Sequence, residues 1–193
     1  LPLTQTISAY IYPSGTNISC FGQSDGSIDL TIGGGSPGYT YVWSNGSNLQ
    51  DPTNLSAGTY NVTATDVNGC TITSSITLVQ PTVLTSSVSP SVFAGGYNIS
   101  GCTPDGAINL TATGGNAGYT YVWSNGSMLE DISSLAAGTY SVTTTDMNGC
   151  QTTSSVILTA PVSMTQTISA FTYPSGTNIS CFGLSNGSVN LTI

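Results

Sequence analysis

Apolar and polar residues alternate with a period of two through most of this chain, the pattern of strands that bury one face. Ile7, Ala9 and Ile11 outline a first strand. Ile28, Leu30 and Ile32 alternate with Ser27, Asp29 and Thr31 in a second, stopped by Gly33-Gly34-Gly35. Tyr39, Tyr41 and Trp43 share one face of a third, which ends at an Asn45-Gly46 turn. From Gly58 to Thr65, Tyr60, Val62 and Ala64 point inward, and Thr59, Asn61, Thr63 and Thr65 point outward. Asn68-Gly69 is a type I′ hairpin signal leading into Ile72, Ser74, Ile76 and Leu78. Residues 47–55 leave room for one or two more strands. No helical period of useful length is present.

The same pattern then recurs. Tyr39 to Gly46 returns unchanged as Tyr119 to Gly126, and Asn68-Gly69-Cys70 returns as Asn148-Gly149-Cys150, both displaced by 80 positions. Leu3 to Ile32 returns as Met164 to Ile193, displaced by 161, with 23 of 30 positions identical. The middle copy diverges most over Thr85 to Thr103. A fixed period defines a repeat array, here read as an alternating A–B–A series. The expected units are residues 1–81, 82–161 and the start of a third at 162–193, with the chain a segment of a longer array. Each unit predicts an all-β, immunoglobulin-like β-sandwich closed by a Pro-containing linker, Val79-Gln80-Pro81 or Thr159-Ala160-Pro161.

Composition narrows the chemistry. The chain has eight acids and no Lys, Arg or His. Without imidazole, amine or guanidinium there is no base for a Ser nucleophile and no clamp for phosphate. Binding to nucleic acid or to an anionic membrane surface lacks the cations it requires. Ser and Thr make up just under a third of the residues, yet Val, Ile, Leu and Tyr in short alternating runs set the chain apart from a disordered one. No apolar run approaches the ~18 residues that span a bilayer.

Five cysteines fall one before the second strand and one after the Asp-x-Asn-Gly turn of each copy. Repeat logic pairs Cys20 with Cys70 and Cys102 with Cys150, and leaves Cys181 for a partner beyond residue 193. Small domains gain stability from such staples, and the bonds persist in oxidising compartments. Reduced, buried cysteines are the alternative. Two Cys per copy without His are too few ligands for zinc.

The run Cys-x-Gly-x-x-Asp-Gly-Ser-Ile, Gly-Gly, Tyr-Thr-Tyr-x-Trp-Ser-Asn-Gly, Leu-x-Ala-Gly-Thr-Tyr-x-Val-Thr-x-x-Asp-x-Asn-Gly-Cys resembles the SprB repeat of Bacteroidetes surface proteins. Residues 20–70 carry all of it and residues 102–150 nearly all. The second copy departs at Gly101-Cys102-Thr103-Pro104-Asp105, gaining one residue before the cysteine and losing two after it. In the third, Asn186 replaces Asp. The resemblance implies secreted or cell-surface repeat proteins with adhesin roles, and no catalytic residues.

Ten Asn residues precede x-Ser/Thr. Among these glycan-acceptor motifs, Asn17, Asn98 and Asn178 hold equivalent places in three copies, and Asn61, Asn109 and Asn190 lie on outward strand faces. Asn45 and Asn125 are explained by a turn with φ > 0. Asp25, Asp66, Asp105, Asp146 and the Glu130-Asp131 pair offer oxygen ligands for calcium but lack EF-hand spacing, and turn capping accounts for them. No metal or cofactor is expected. Asp51 and Asp66 as a glycosidase pair lack any feature that raises a carboxyl pKa. Tyr39, Tyr41 and Trp43 read as core in preference to a sugar-stacking platform.

The sequence thus predicts a non-catalytic structural segment of an extracellular fibre or stalk. Its partners are neighbouring repeats, copies of itself and covalent glycans. The alternative is an adhesin whose repeats bind carbohydrate or a surface directly.

Overall fold

The structure, a computed structural model, describes residues 1–101, 103–163, 165–172, 174, 176, 178 and 188–192. It is all-β, built from small antiparallel sheets. β1 (Thr4–Ala9) pairs with β2 (Ile28–Gly33), and β3 (Thr40–Trp43), β4 (Gly58–Thr65) and β5 (Thr71–Leu78) form a second sheet with β4 in the middle. The pattern repeats with β6 (Thr82–Pro90), β7 (Gly106–Gly115) and β9 (Ile132–Leu135) in one sheet, and β8 (Thr120–Trp123), β10 (Gly138–Thr145) and β11 (Gln151–Leu158) in the other. β12 (Thr167–Ala170) and β13 (Val189–Thr192) repeat the β1–β2 pairing.

The period-two alternation fixes which face each strand buries. Ile28 and Leu30 from β2 meet Trp43, Tyr60, Val62 and Leu78 from the facing sheet, with Ile18 and Leu55 filling the ends of this core. Ile108, Leu110, Trp123, Val142 and Leu158 enclose the corresponding second core, closed by Ile132 and Leu135. Each Trp is only 2 % exposed and its indole N–H is satisfied by a carbonyl six residues on, Leu49 at 2.7 Å and Leu129 at 2.9 Å. An indole of that size can be buried only with its polar edge paired. Trp43 and Trp123 are therefore core anchors, and no aromatic platform faces solvent on that strand.

Some elements differ from the sequence reading. The first strand stops at Ala9, and Ile11 is exposed beyond it. The room seen at residues 47–55 becomes a true strand only in the second copy, as β9; in the first it is a single bridge between Gly26 and Leu55. There Asp51 substitutes for a strand neighbour, accepting the Leu30 N–H at 2.9 Å, as Asp131 does for Leu110. The Asp66–Gly69 turn is not type I′, which needs φ > 0 at both central residues. Gly69 alone has positive φ, 83°, and its N–H returns to Asp66 O at 3.0 Å. The carboxylate explains the change: Asp66 Oδ1 accepts the N–H groups of Asn68 and Cys70, each at 2.9 Å, holding Asn68 in an Asx turn. Asn45 is likewise not in the positive-φ set, and its side chain accepts the Ser47 N–H.

Candidate functional site

The chemistry of this chain concentrates where the first repeat meets the second. The loop before β2 is anchored to the far end of β5. Asn17 and Ile18 donate their N–H groups to Val79 O, and Asn17 Oδ1 accepts the Val79 N–H in return. Gln80 Oε1 accepts the Gly22 N–H at 2.8 Å. Asp25 draws the loop inward, taking the Ser19 N–H on one oxygen and the Tyr12 hydroxyl on the other. Burial pulls the Asp25 pKa upward, but the Ser19 and Tyr12 hydrogen bonds outweigh it and hold the carboxyl below its ordinary value. Tyr12 is pushed up by burial and by donating to that carboxylate.

This anchoring carries Cys20 to the end of the first repeat that faces the second. It bonds there to Cys150, 130 positions away in sequence, with 5.7 Å between the Cα atoms. The expected pairs Cys20–Cys70 and Cys102–Cys150 are thereby overturned. Cys70 opens β5, whereas the Cys20 loop is tied to the residues just past the end of β5. Eight residues at ~3.3 Å each separate those ends by about 25 Å, far outside the span a disulfide closes. Cys70 is free and exposed. Cys102 and Cys181 lie outside the described residues.

Side-chain amides of the second repeat complete the junction. Asn116 and Asn148 both donate to Ser19 O, at 3.0 and 3.1 Å, and Asn148 also reaches the Ser14 hydroxyl at 3.1 Å. Asp146 fixes this face from behind: Oδ1 accepts the N–H groups of Asn148 and Cys150, and Oδ2 that of Asn116. Phe21 and Gln23 of the first repeat line a cleft together with Val83, Leu84 and Gln151 of the second. Ser14, Ser19 and Asn116 carried no signal in a single copy. The one visible clue was that Asn116 stands where the first copy has Ser36, a polar change at an otherwise matched position.

The other candidate residues separate into two groups. Asn17 and Asn98 are 9 % and 8 % exposed, with their amide nitrogens donating to Tyr10 O and Ser91 O and their oxygens holding the start of each linker. These amides brace the fold and offer no free nitrogen to a glycosylating enzyme once folded. Asn178 donates to Phe171 O in the same manner. Asn61, Asn109 and Asn190 are exposed on strands, with Asn109 3.3 Å from Asp131 Oδ2. The carboxylates of Asp25, Asp51, Asp66, Asp105, Asp131 and Asp146 are bonded within the fold. Asp66 is held below its ordinary pKa by the Ser36 and Cys70 N–H groups, and Asp105 by the Ser100 hydroxyl and N–H. Asp51 and Asp66 serve different backbone N–H groups, those of Leu30 and Ser36, and form no acid–base pair.

Among the described residues no helix is long and apolar enough to cross a membrane. No curated protein matches the chain. Residues 14–48 and 101–128 match the SprB repeat family, whose repeats are typical of cell-surface proteins. The first match begins at Ser14, in the junction loop, and both matches run through the Tyr-Thr-Tyr-Val-Trp strand and the turn that follows. Those two segments of the chain are similar to SprB repeats.

Proposed function

We propose that this chain is a non-catalytic segment of an extracellular fibre or stalk, in which successive β-sandwich repeats are locked end to end. The observation that carries the reading is the Cys20–Cys150 bond, which ties one repeat to the next where an ordinary domain staple closes on itself. The linker between the repeats is Val79-Gln80-Pro81 alone, and Gln80 is itself engaged by the Gly22 N–H. A short, occupied linker, a covalent bond and three amide hydrogen bonds leave little freedom for one repeat to swing on the other. The disulfide supports an oxidising, extracytoplasmic location, in keeping with the surface proteins in which the family occurs.

With no side-chain cation, contacts between fibres rest on hydroxyl rows and strand edges. Thr59 with Thr77 and Thr85 with Thr113 already pair hydroxyls across strands at 2.8 and 2.9 Å. The exposed Asn61, Asn109 and Asn190 are the acceptors for any glycan coat, which an intact mass above that of the bare polypeptide reveals. A direct adhesin role draws on Val42, Leu49, Val122 and Leu129, apolar side chains exposed at matching places in both repeats.

Electron microscopy of the native material tests the main reading. The expected image is a rod with an axial repeat of about 35 Å, the length of a ten-residue strand. Compact particles without an axial repeat reject it. Binding to glycan arrays that rises with repeat number favours the adhesin.

A further inference from the structure

The first repeat carries a second copy of the junction face, on which no loop of another repeat is docked among the described residues. Asp66 holds Asn68 and Cys70 by their N–H groups at 2.9 Å, as Asp146 holds Asn148 and Cys150. Its other oxygen takes the Ser36 N–H, as Asp146 takes that of Asn116. Leu3, Cys70 and Thr71 line a hollow where Leu84, Cys150 and Gln151 line the cleft that Phe21 and Gln23 also border. The Asn68 amide, whose equivalent grips Ser19 O, turns back to its own Ser36 hydroxyl at 2.8 Å. The Cys70 thiol is exposed, whereas the Cys150 sulfur is bonded.

We propose that this face receives the cysteine loop of a second-type repeat and closes on it with a disulfide to Cys70, so that every repeat in the array is stapled to its neighbour. The occupant follows from complementarity. In the second-type loop one residue is added before the cysteine, Ser100-Gly101-Cys102 against Ser19-Cys20. In the first-type face the long Asn116 is replaced by the short Ser36. The arm that leads into the cysteine is therefore one residue longer in the loop that would meet the shorter side chain, and one shorter in the loop that meets the longer one. The arm after the cysteine is two residues shorter in the second type. Bond formation takes the two thiols and one disulfide oxidant such as oxidised glutathione: the new S–S bond forms, the oxidant's S–S bond breaks, and two glutathione thiols leave with the two protons.

This inference rests on the array reading, which sets a second-type repeat beside the first, and the 193-residue chain tests it directly because it contains both a Cys70 face and a Cys102 loop. In a glutathione redox buffer the chain is expected to form a ladder of disulfide-linked multimers on non-reducing gels. Chymotryptic mapping of the ladder should give a Cys70–Cys102 cross-link. Cys70→Ser, at an exposed position, and Cys102→Ser should each reduce the ladder at least tenfold while Cys20–Cys150 survives in both. A chain that stays monomeric with Cys70 as a thiol or glutathione adduct overturns the proposal, as do multimers linked through Cys70–Cys70 or Cys70–Cys181. Either result leaves the stalk reading to the axial repeat seen in microscopy, so the two fail separately.

Discussion

Asn17 and Val79 hold each other twice: the Asn17 N–H donates to Val79 O at 2.9 Å, and the Val79 N–H donates to Asn17 Oδ1 at 3.0 Å. Asn98 and Thr159 repeat the arrangement in the second copy. This clasp fastens the cysteine-bearing loop to the end of the last strand, upstream of everything at the junction. Asn17→Ala removes two part-buried hydrogen bonds, those to the Val79 N–H and the Tyr10 carbonyl, and about 1–3 kcal/mol of stability should be lost from the first repeat. Urea unfolding checks the value. A change under about 0.5 kcal/mol means that solvent replaces the clasp.

Thr144 is fully buried and its hydroxyl has no hydrogen-bond partner among the described residues. The matching residue in the first copy is Ala64, which is equally buried. Thr144→Val keeps the shape and removes the unpaired polar atom, so the second repeat should gain about 1 kcal/mol. Thermal unfolding of the two proteins side by side decides it; a loss of stability refutes the assignment.

Gly114 has a φ of 75°, and a Cβ built on it would lie 2.0 Å from Val83 O. Gly34 has the same relation to Pro2 O, at 1.9 Å. Both the left-handed backbone and the close approach require glycine. Gly114→Ala should cost about 3 kcal/mol or more, since strain alone accounts for 1–3, and should loosen the pairing at the start of β6. Amide hydrogen exchange at Leu84 and Thr85 reads that directly. Protection equal to the wild type shows that the backbone relaxes around the methyl group.

Asp25, Asp66 and Asp105 all have pKa values lowered from the ordinary 3.8. A lowered folded-state pKa gives stability that is present above the unfolded value and lost as pH falls through the folded one. The chain should therefore be equally stable from neutral pH down to about 5 and weaken below about 4. No histidine or lysine is present to add a neutral or alkaline transition of its own. Asp66→Asn, which cannot accept the Ser36 N–H with a carboxylate oxygen, should lower the melting temperature at pH 7 and make little difference at pH 2. An equal deficit at both pH values shows that the carboxylate charge is not what matters.

Cys20→Ser separates folding of the repeats from their alignment. Each core is enclosed by its own sheets, so far-ultraviolet circular dichroism should be unchanged. The junction then rests on hydrogen bonds to Ser19 O and the Ser14 hydroxyl, and small-angle scattering should show a wider range of molecular lengths. An unaltered scattering profile means that the amides alone align the repeats.

Strand positions were legible because burial on one face writes a period of two into the sequence, and β4 runs from Gly58 to Thr65 as the pattern indicated. The cysteine partners were not legible. Equal spacing within each copy says nothing about which end of a sandwich a residue reaches, and an eight-residue strand lies between Cys20 and Cys70. The turn at Asn68-Gly69 misled for a related reason: the dipeptide is common to two turn types, and Asp66, two residues earlier, selects between them. Asn17 and Asn98 read as surface motifs because their polar groups are visible in sequence, whereas the backbone groups that bind them are not.

The Cys20–Cys150 bond also decides how such a chain would carry tension. A pull on the array passes through the sulfur bridge and bypasses the residues between, so Trp123, β8 and β10 lie off the load path while β11, which follows Cys150, stays on it. Those 130 positions correspond to roughly 440 Å of extended polypeptide withheld while the bridge is intact. Chemical reduction would convert a nearly inextensible tether into a shock absorber.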